Sequence, residues 1–242
     1  MSDKKTRDVS AGGETWFVAD LHQDHPGIIR HCSATRPYLK TGDLDKTGQW
    51  ASEAVKQARC DEMNLAQVAV WNATVGNKDT VYIVGDAFWK NHRKWINELN
   101  GKKVLLIGSH DKMPLDALEL FRVDDPALSF DQRIADAVKT LAQFREVHHG
   151  LVREICGQMM HLYHWPLATW QGKPHGSWCV VGHTHGRYRK AQPGEWSGGL
   201  ILDVGWDVFG RPISFDELRA EMKTKFDLGA TRYECHDEVD KE

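Results

Sequence analysis

Metal-binding residue types recur in short blocks along this 242-residue chain: Asp20-Leu21-His22, Gly85-Asp86, Gly108-Ser109-His110-Asp111, His164 and Gly182-His183-Thr184-His185. Each block follows directly on a short apolar run. Carboxylates and imidazoles delivered at the ends of neighbouring strands can converge on one point, as oxygen and nitrogen ligands for divalent ions must. In an extended backbone, residues two apart share a face, so Asp20 and His22 are expected to project together, and His183 with His185 likewise. Gly182 and Gly186 permit a tight turn that brings the backbone close to an ion. Asp86 has two carboxylate oxygens with which to bridge two ions. Each block is weak evidence alone in a chain with 13 histidines, and a lone His164 would ordinarily be a packed or capped residue. The ordered set at strand ends carries the metal reading.

The elements that must position these blocks are legible from periodicity. Trp16-Phe17-Val18-Ala19, Val81-Tyr82-Ile83-Val84, Val104-Leu105-Leu106-Ile107, residues 159–163, residues 178–181 and Leu200-Ile201-Leu202 are apolar runs bounded by Gly, Pro or charge. Such runs suit strands buried on both faces. Helical patterns lie between them at residues 26–32, 50 to about 75, 92–99, 115–121 and 129–144, the last with Ile134, Val138 and Leu141 on one face. Asn100-Gly101 is a helix stop, and Ser214 with Glu217 forms a capping-box start for a final helix striped by Leu218, Met222 and Phe226. Strands and helices therefore alternate, as in an α/β protein. Residues 1–13 read as a flexible leader, 14–229 as a single domain and 230–242 as a polar tail. The stretches 40–71 and 112–149 are candidate helical insertions over the site, or plain surface helices.

Composition narrows the class. With 41% hydrophobic and 27% charged residues, neither disorder nor a fibrous architecture is indicated. The formal net charge of −3 gives no global pull toward nucleic acid or anionic membranes. No apolar stretch approaches the roughly 20 residues that span a bilayer, and the first residues lack a signal-peptide core, so a cytoplasmic protein without a membrane partner is expected. The cysteines Cys32, Cys60, Cys156, Cys179 and Cys235 are odd in number, with no Cys-x-x-Cys pair, which fits reduced thiols.

Taken together, the blocks resemble the signature of the calcineurin-like metallophosphoesterases, which runs Asp-x-His, Gly-Asp, Gly-Asn-His-Asp/Glu, His and Gly-His-x-His. The match spans Asp20 to His185. Further similarity to a small bacterial and phage branch lies in His25, Ile28-Ile29, Arg36-Pro37, Trp71-Asn72, His164-Trp165-Pro166-Leu167 and Pro212-Ile213-Ser214. The resemblance implies an α/β fold of two mixed β-sheets packed face to face and flanked by helices, a four-layer αββα sandwich with metals at the carboxyl edges of the strands. It implies that Asp20, His22 and His185 hold one ion, that Asp86 bridges, and that His164 and His183 hold a second. Two divalent metal ions are thus the implied cofactors, manganese first, with iron, zinc, nickel or magnesium as alternatives. His110 matches the family's non-ligand histidine, which faces the substrate and assists the leaving oxygen. The implied activity is hydrolysis of a phosphodiester or phosphomonoester in a small phosphorylated substrate such as a nucleotide. His25 and Arg36 match the branch motif and are candidate phosphate contacts, Arg36 being suited to a bidentate grip or to a surface salt bridge. Arg187, which opens the run Arg187-Tyr188-Arg189-Lys190, would sit near the mouth of the site and steer an anion, or be merely solvated.

One position departs from the pattern. Ser109 stands where the family has Asn, and a hydroxyl is a shorter and poorer ligand than an amide carbonyl, so the second ion should be held more weakly. Three readings follow: a natural variant with a looser second site, a substitution that silences the enzyme, or a metal-binding scaffold that has lost activity. Among hydrolases, a serine/threonine protein phosphatase is disfavoured because Ala87-Phe88-Trp89 follows Gly85-Asp86 in place of Asp-Arg-Gly. An acyl hydrolase is disfavoured because no Gly-x-Ser-x-Gly elbow is present. A nuclease is the runner-up, and would need a continuous basic stripe through Arg36, Lys102-Lys103 and residues 187–190. Asp111 either orients a ring or makes a structural hydrogen bond. The tryptophans at 16, 71, 165, 178 and 206 read as core or rim packing rather than base-stacking platforms.

Overall fold

Each of the apolar runs forms the body of a strand in the computed structural model, which describes residues 13–112, 138–187 and 199–228. The expected helix at 115–121, most of that at 129–144, the leader through residue 12, residues 188–190 of the basic run and the tail from 229 lie outside the described residues. The first sheet has the order β4-β3-β2-β1-β9. Its strands β1 (Thr15–Val18), β2 (Thr80–Val84), β3 (Lys102–Leu106) and β4 (Glu146–His148) are parallel, and β9 (Ile213–Ser214) is antiparallel to β1. The second sheet has the order β5-β6-β7-β8. There β5 (Gly150–Ile155) and β6 (Gln158–Tyr163) form an antiparallel pair, while β7 (Trp178–Val181) and β8 (Ile201–Asp203) continue in parallel.

Period-two alternation divides each central strand between two layers. Phe17, Tyr82, Val84, Val104 and Leu106 point inward and meet Met160, Leu162, Val180 and Leu202 of the second sheet in one continuous cluster. The two mixed sheets therefore pack face to face. Each fully buried Phe or Leu there contributes about 1.5–3 kcal/mol. On the outer face of the first sheet, Trp16, Val18, Val81, Ile83 and Leu105 meet Trp71, Val75, Trp95 and Ile96. These come from α2 (Glu53–Thr74), its C-terminal cap and α3 (His92–Glu98). The outer face of the second sheet, with Cys179, Val181 and Ile201, is closed by Trp170 and Leu167, so its described cover comes from a loop.

Further described helices include α1 (Pro26–His31), α4 (Trp206–Phe209) and α5 (Phe215–Asp227). α5 starts with the expected capping box, in which Glu217 N donates to Ser214 Oγ and Ser214 N to the Glu217 carboxylate. Leu218 and Met222 are buried but Phe226 is 56% exposed, because the last turn of the helix runs beyond the core. The 40–71 stretch does not form a separate cap. α2 packs Met63 on Ile28 and Ile29 of α1 and covers the first sheet. No described helix is long and apolar enough to cross a membrane.

Beyond their last residues, the strands stay fastened to one another. Asp20 N donates to Gly85 O, His22 N to Asp86 O, and Gln23 N to Ala87 O, which extends the β1–β2 pairing into the loops. Across the seam between the sheets, Ala19 N donates to Val204 O and Trp206 N to Ala19 O. The edge that carries the site is thus knitted by main chain before any side chain is considered.

Candidate metal centre

Asp20, His22, Asp86, His183 and His185 lie on backbone with φ of 56°, 51°, 53°, 69° and 48°. This corrects the expectation that the Asp-x-His and His-x-His pairs project from extended chain. Left-handed backbone costs a residue other than glycine on the order of 1 to 3 kcal/mol, and such residues persist only where the surroundings over-determine them. Glycines make the surroundings tight. A Cβ on Gly108 would stand 2.2 Å from Asp86 N, and one on Gly85 would stand 2.3 Å from His164 Nδ1. The glycines before the ligand positions therefore serve close approach of the loops.

The side chains gather as the spacing suggested. Ligand atoms of Asp20, His22 and His185 lie within 4.8 Å of one another, and so do those of Asp86, His164 and His183. Asp86 stands between the two sets: its Oδ2 is 3.7 Å from His22 Nε2 and 3.3 Å from His164 Nε2. Both of those nitrogens are buried and have no hydrogen-bond partner. Their second nitrogens are engaged, His164 Nδ1 with Val84 O at 2.9 Å and His22 Nδ1 with His25 Nδ1 at 3.2 Å. A buried imidazole nitrogen left without a partner costs about 1–3 kcal/mol. A cation beside Asp86 would satisfy both, so the donor set fits divalent ions.

Electrostatics follow from that crowding. Burial pushes the Asp20 carboxyl up to about 8 and holds the His22 imidazole well below its ordinary value. For Asp86, burial acts upward, but the nearby imidazoles of His164 and His22 outweigh it and hold the carboxyl well below the usual carboxylate range. His183 is the exposed member of the set; burial and the charge of His164 lower its value. Its main-chain N donates to both Asp20 oxygens at 3.1 and 3.0 Å.

Several residues outside the predicted set hold the ligands. Asp207 accepts from His185 Nδ1 at 2.6 Å and from Thr35 Oγ1, which leaves His185 Nε2 for the site. Burial acts to lower His185, yet this hydrogen bond outweighs it and pushes the imidazole up to about 10. Asp203 accepts from Thr184 Oγ1 and from the main-chain N of Gly186 and Gly205, and so fixes the turn between His183 and His185. Asp111 accepts from the main-chain N of Asp86, Ala87, Phe88 and Gly108. It serves as a structural acceptor joining the loops after β2 and β3. Asp24 bonds Asn64 of α2 and Asn91, and Gln67 donates to Leu21 O, so α2 buttresses the first ligand loop. Asp203 had a sequence signal, since it too follows directly on an apolar run, Leu200-Ile201-Leu202; Asp207, four residues further on, had none.

Arg36 does not face the cleft. Its side chain is fully buried, with Nε and Nη2 on the two oxygens of Asp207 at 2.9 Å, further bonds from Nη2 and Nη1 to the carbonyls of Asp20 and Leu21, and Nη1 3.6 Å from Met63 Sδ. It is neither a phosphate contact nor a surface salt bridge. It supports the ligand loop from beneath, and its guanidinium occupies the Asp207 carboxylate that Cys32 and His185 also approach. His25 is half-buried beside His22, and burial with the charge of His110 pushes it down to about 4. Its ring stacks on Trp89 at 4.2 Å and 7°. Arg187 is exposed. His110 keeps 33% of its side chain exposed, with Nε2 3.9 Å from Asp86 Oδ2 and its main-chain N donating to Asp86 Oδ1. Lys102 and Lys103 sit at the start of β3, the opposite end from the site. With Arg36 buried as well, these residues build no continuous basic stripe.

Ser109 Oγ lies 3.1 and 3.0 Å from the two Asp86 oxygens. The hydroxyl donates to the shared carboxylate. Asp86, His164 and His183 therefore make a second set poorer than the first. Ser109→Asn is expected to raise affinity for the second ion about tenfold or more, because an amide carbonyl is an oxygen ligand with longer reach. Equilibrium dialysis with metal quantified by mass spectrometry checks this, and an unchanged second affinity would contradict it.

Fold and site thus define an α/β protein of two packed mixed sheets that gathers histidines and aspartates at the carboxyl ends of its strands. No family model matches the chain. An uncharacterized protein of Methanocaldococcus jannaschii is 30% identical over 113 residues, which cover 45% of this chain and half of that protein's own length. The gene 66 protein of Mycobacterium phage D29 is 25% identical over 227 residues, covering 88% of this chain and 98% of that protein. Its counterpart from phage L5 is 24% identical over 84% and 91% of the two chains. The crystal structure of a protein of unknown function from Aquifex aeolicus aligns with a TM-score of 0.51 and 16% identity, over 86% of this chain and 98% of that one. That last likeness concerns the fold alone.

Proposed function

We propose that this chain is a metal-dependent phosphoesterase with the calcineurin-like αββα sandwich as the finer description of its fold. The observation that carries the reading is the pair of buried Nε2 atoms of His22 and His164, neither with a hydrogen-bond partner, facing one carboxylate, Asp86, at 3.7 and 3.3 Å. Asp20, His22, His185 and Asp86 would hold one divalent ion, and Asp86, His164 and His183 a second. Bound there, such ions supply a water nucleophile at neutral pH and neutralise charge on phosphoryl oxygens. The protein's own part is to fix that centre. Asp207 and Val84 O set the tautomers of His185 and His164, and Asp203 and Asp111 hold the loops. His110, open to solvent beside Asp86, is placed to donate a proton to a leaving oxygen.

A small phosphate ester is favoured over nucleic acid, since the basic stripe required of a nuclease does not form from Arg36 and Lys102-Lys103. The direct test is phosphate-ester hydrolysis of bis(p-nitrophenyl) phosphate and p-nitrophenyl phosphate after chelation and reloading with manganese, iron, zinc, nickel or magnesium. Turnover that appears only with added metal is expected, and its absence with every metal would overturn the reading in favour of a scaffold. Metal alone is expected to stabilise the fold by about 2.7 kcal/mol at a hundred times its Kd, read as a rise in Tm.

A further inference from the structure

An exposed tryptophan stands beside this centre. Trp89 follows Asp86 by three residues on the loop after β2, and 42% of it remains exposed. The loop is fixed: Trp89 N donates to Gln23 O at 2.8 Å, and Gln23 pairs with Phe88 in a β-bridge. One indole face is covered by the His25 ring, 4.2 Å away and nearly parallel. The His110 ring leans on the indole at 4.8 Å and 51°. What remains open is the part of the indole that neither imidazole covers.

A large side chain that is held rigidly, left in water and set one imidazole away from a candidate reaction centre is suited to contact a ligand. Planar π-faces stack on such a surface, with little side-chain entropy left to lose. Because His110 is the group placed to serve the leaving oxygen, Trp89 lies on the leaving-group side. We infer that the Trp89 indole, backed by His25, is a stacking platform for a planar heteroaromatic ring on the substrate's leaving side, which makes nucleotides the substrate class. This rests on the phosphoesterase reading, but its geometry is independent of the ions.

The test uses manganese-loaded protein and calorimetric titration with three probes: an adenosine phosphonate, the ribose phosphonate without a base, and adenosine. The phosphorus–carbon bond of the first two prevents turnover. The adenosine phosphonate is expected to bind at least about tenfold more tightly than the ribose phosphonate, in line with the measured range of base–aromatic stacking. That ratio should fall to about one in Trp89→Ala and be largely kept in Trp89→Phe, with Tm unchanged in both. Equal binding of the two phosphonates to the unaltered protein overturns the platform, and so does a ratio that survives in Trp89→Ala. If the ribose phosphonate fails to bind while adenosine binding depends on Trp89, the platform stands and the phosphoesterase reading fails.

Discussion

His110→Ala is expected to lower turnover of a phosphate ester by roughly 10² to 10⁴-fold, the ordinary worth of a positioned proton donor. The substitution separates chemistry from architecture. The His110 ring is one-third exposed, and the tie to Asp86 runs through its main-chain N, which alanine keeps. Metal content and Tm should therefore stay close to those of the unaltered protein while kcat falls. The loss should be largest for esters with poorly acidic leaving alcohols, and smallest for p-nitrophenolate, which needs little protonation to depart. Equal losses across leaving groups would place the histidine in substrate binding instead. Unaltered turnover would remove it from the mechanism.

The second large effect lies beneath the site. Arg36→Met is expected to destabilise the fold by about 3–5 kcal/mol, the cost of leaving one member of a buried ion pair uncompensated. Asp207 would keep its carboxylate, almost fully buried, with only His185 and Thr35 as donors. The carbonyls of Asp20 and Leu21 would lose the guanidinium as well. Chemical denaturation measures the loss. The double variant Arg36→Met with Asp207→Asn should recover part of it, since it removes the orphaned charge. A loss below about 1 kcal/mol would show the pair to behave as an exposed surface pair does. Metal affinity should fall in the single variant too, because Arg36 reaches both Asp207 and the main chain of the Asp20–His22 loop.

Sequence patterning was most informative where burial was complete. The runs that became β1, β2, β3, β6, β7 and β8 are apolar on both faces because both faces are covered, and the ligand blocks follow because strand ends of parallel sheets open onto one edge. β4, β5 and β9 were not legible. β5 is an edge strand whose residues alternate toward solvent, β4 is short and half-buried throughout, and β9 has two residues. A pattern that short carries no period. Which aspartates and histidines gather at the strand ends was visible but their backbone was not: left-handed φ at an aspartate or histidine is imposed by neighbouring loops and glycines, not by the residue itself. Arg36 shows the same limit. An arginine reads alike in sequence whether it grips a phosphate or a buried aspartate, and only the position of Asp207, 171 residues away, decides between them. Trp89 shows it too, since a tryptophan reads alike in sequence whether its ring is packed in a core or left 42% exposed.

That long separation bears on how the protein is made. Asp20 must meet the main chain of His183, 163 residues later, and β1 needs β9 at Ile213–Ser214 to complete its sheet. A chain leaving the ribosome from its N-terminus therefore exposes its first ligand loop, with Arg36 unpaired, until residue 207 has emerged. Contacts of this range form slowly, because the intervening chain must lose its freedom before they are made. The central strands can pair early, but the edge that gathers the histidines and aspartates closes only after nearly all of the domain has been synthesised. A nascent chain stalled before Trp206 would be expected to carry sheet structure and no competent centre.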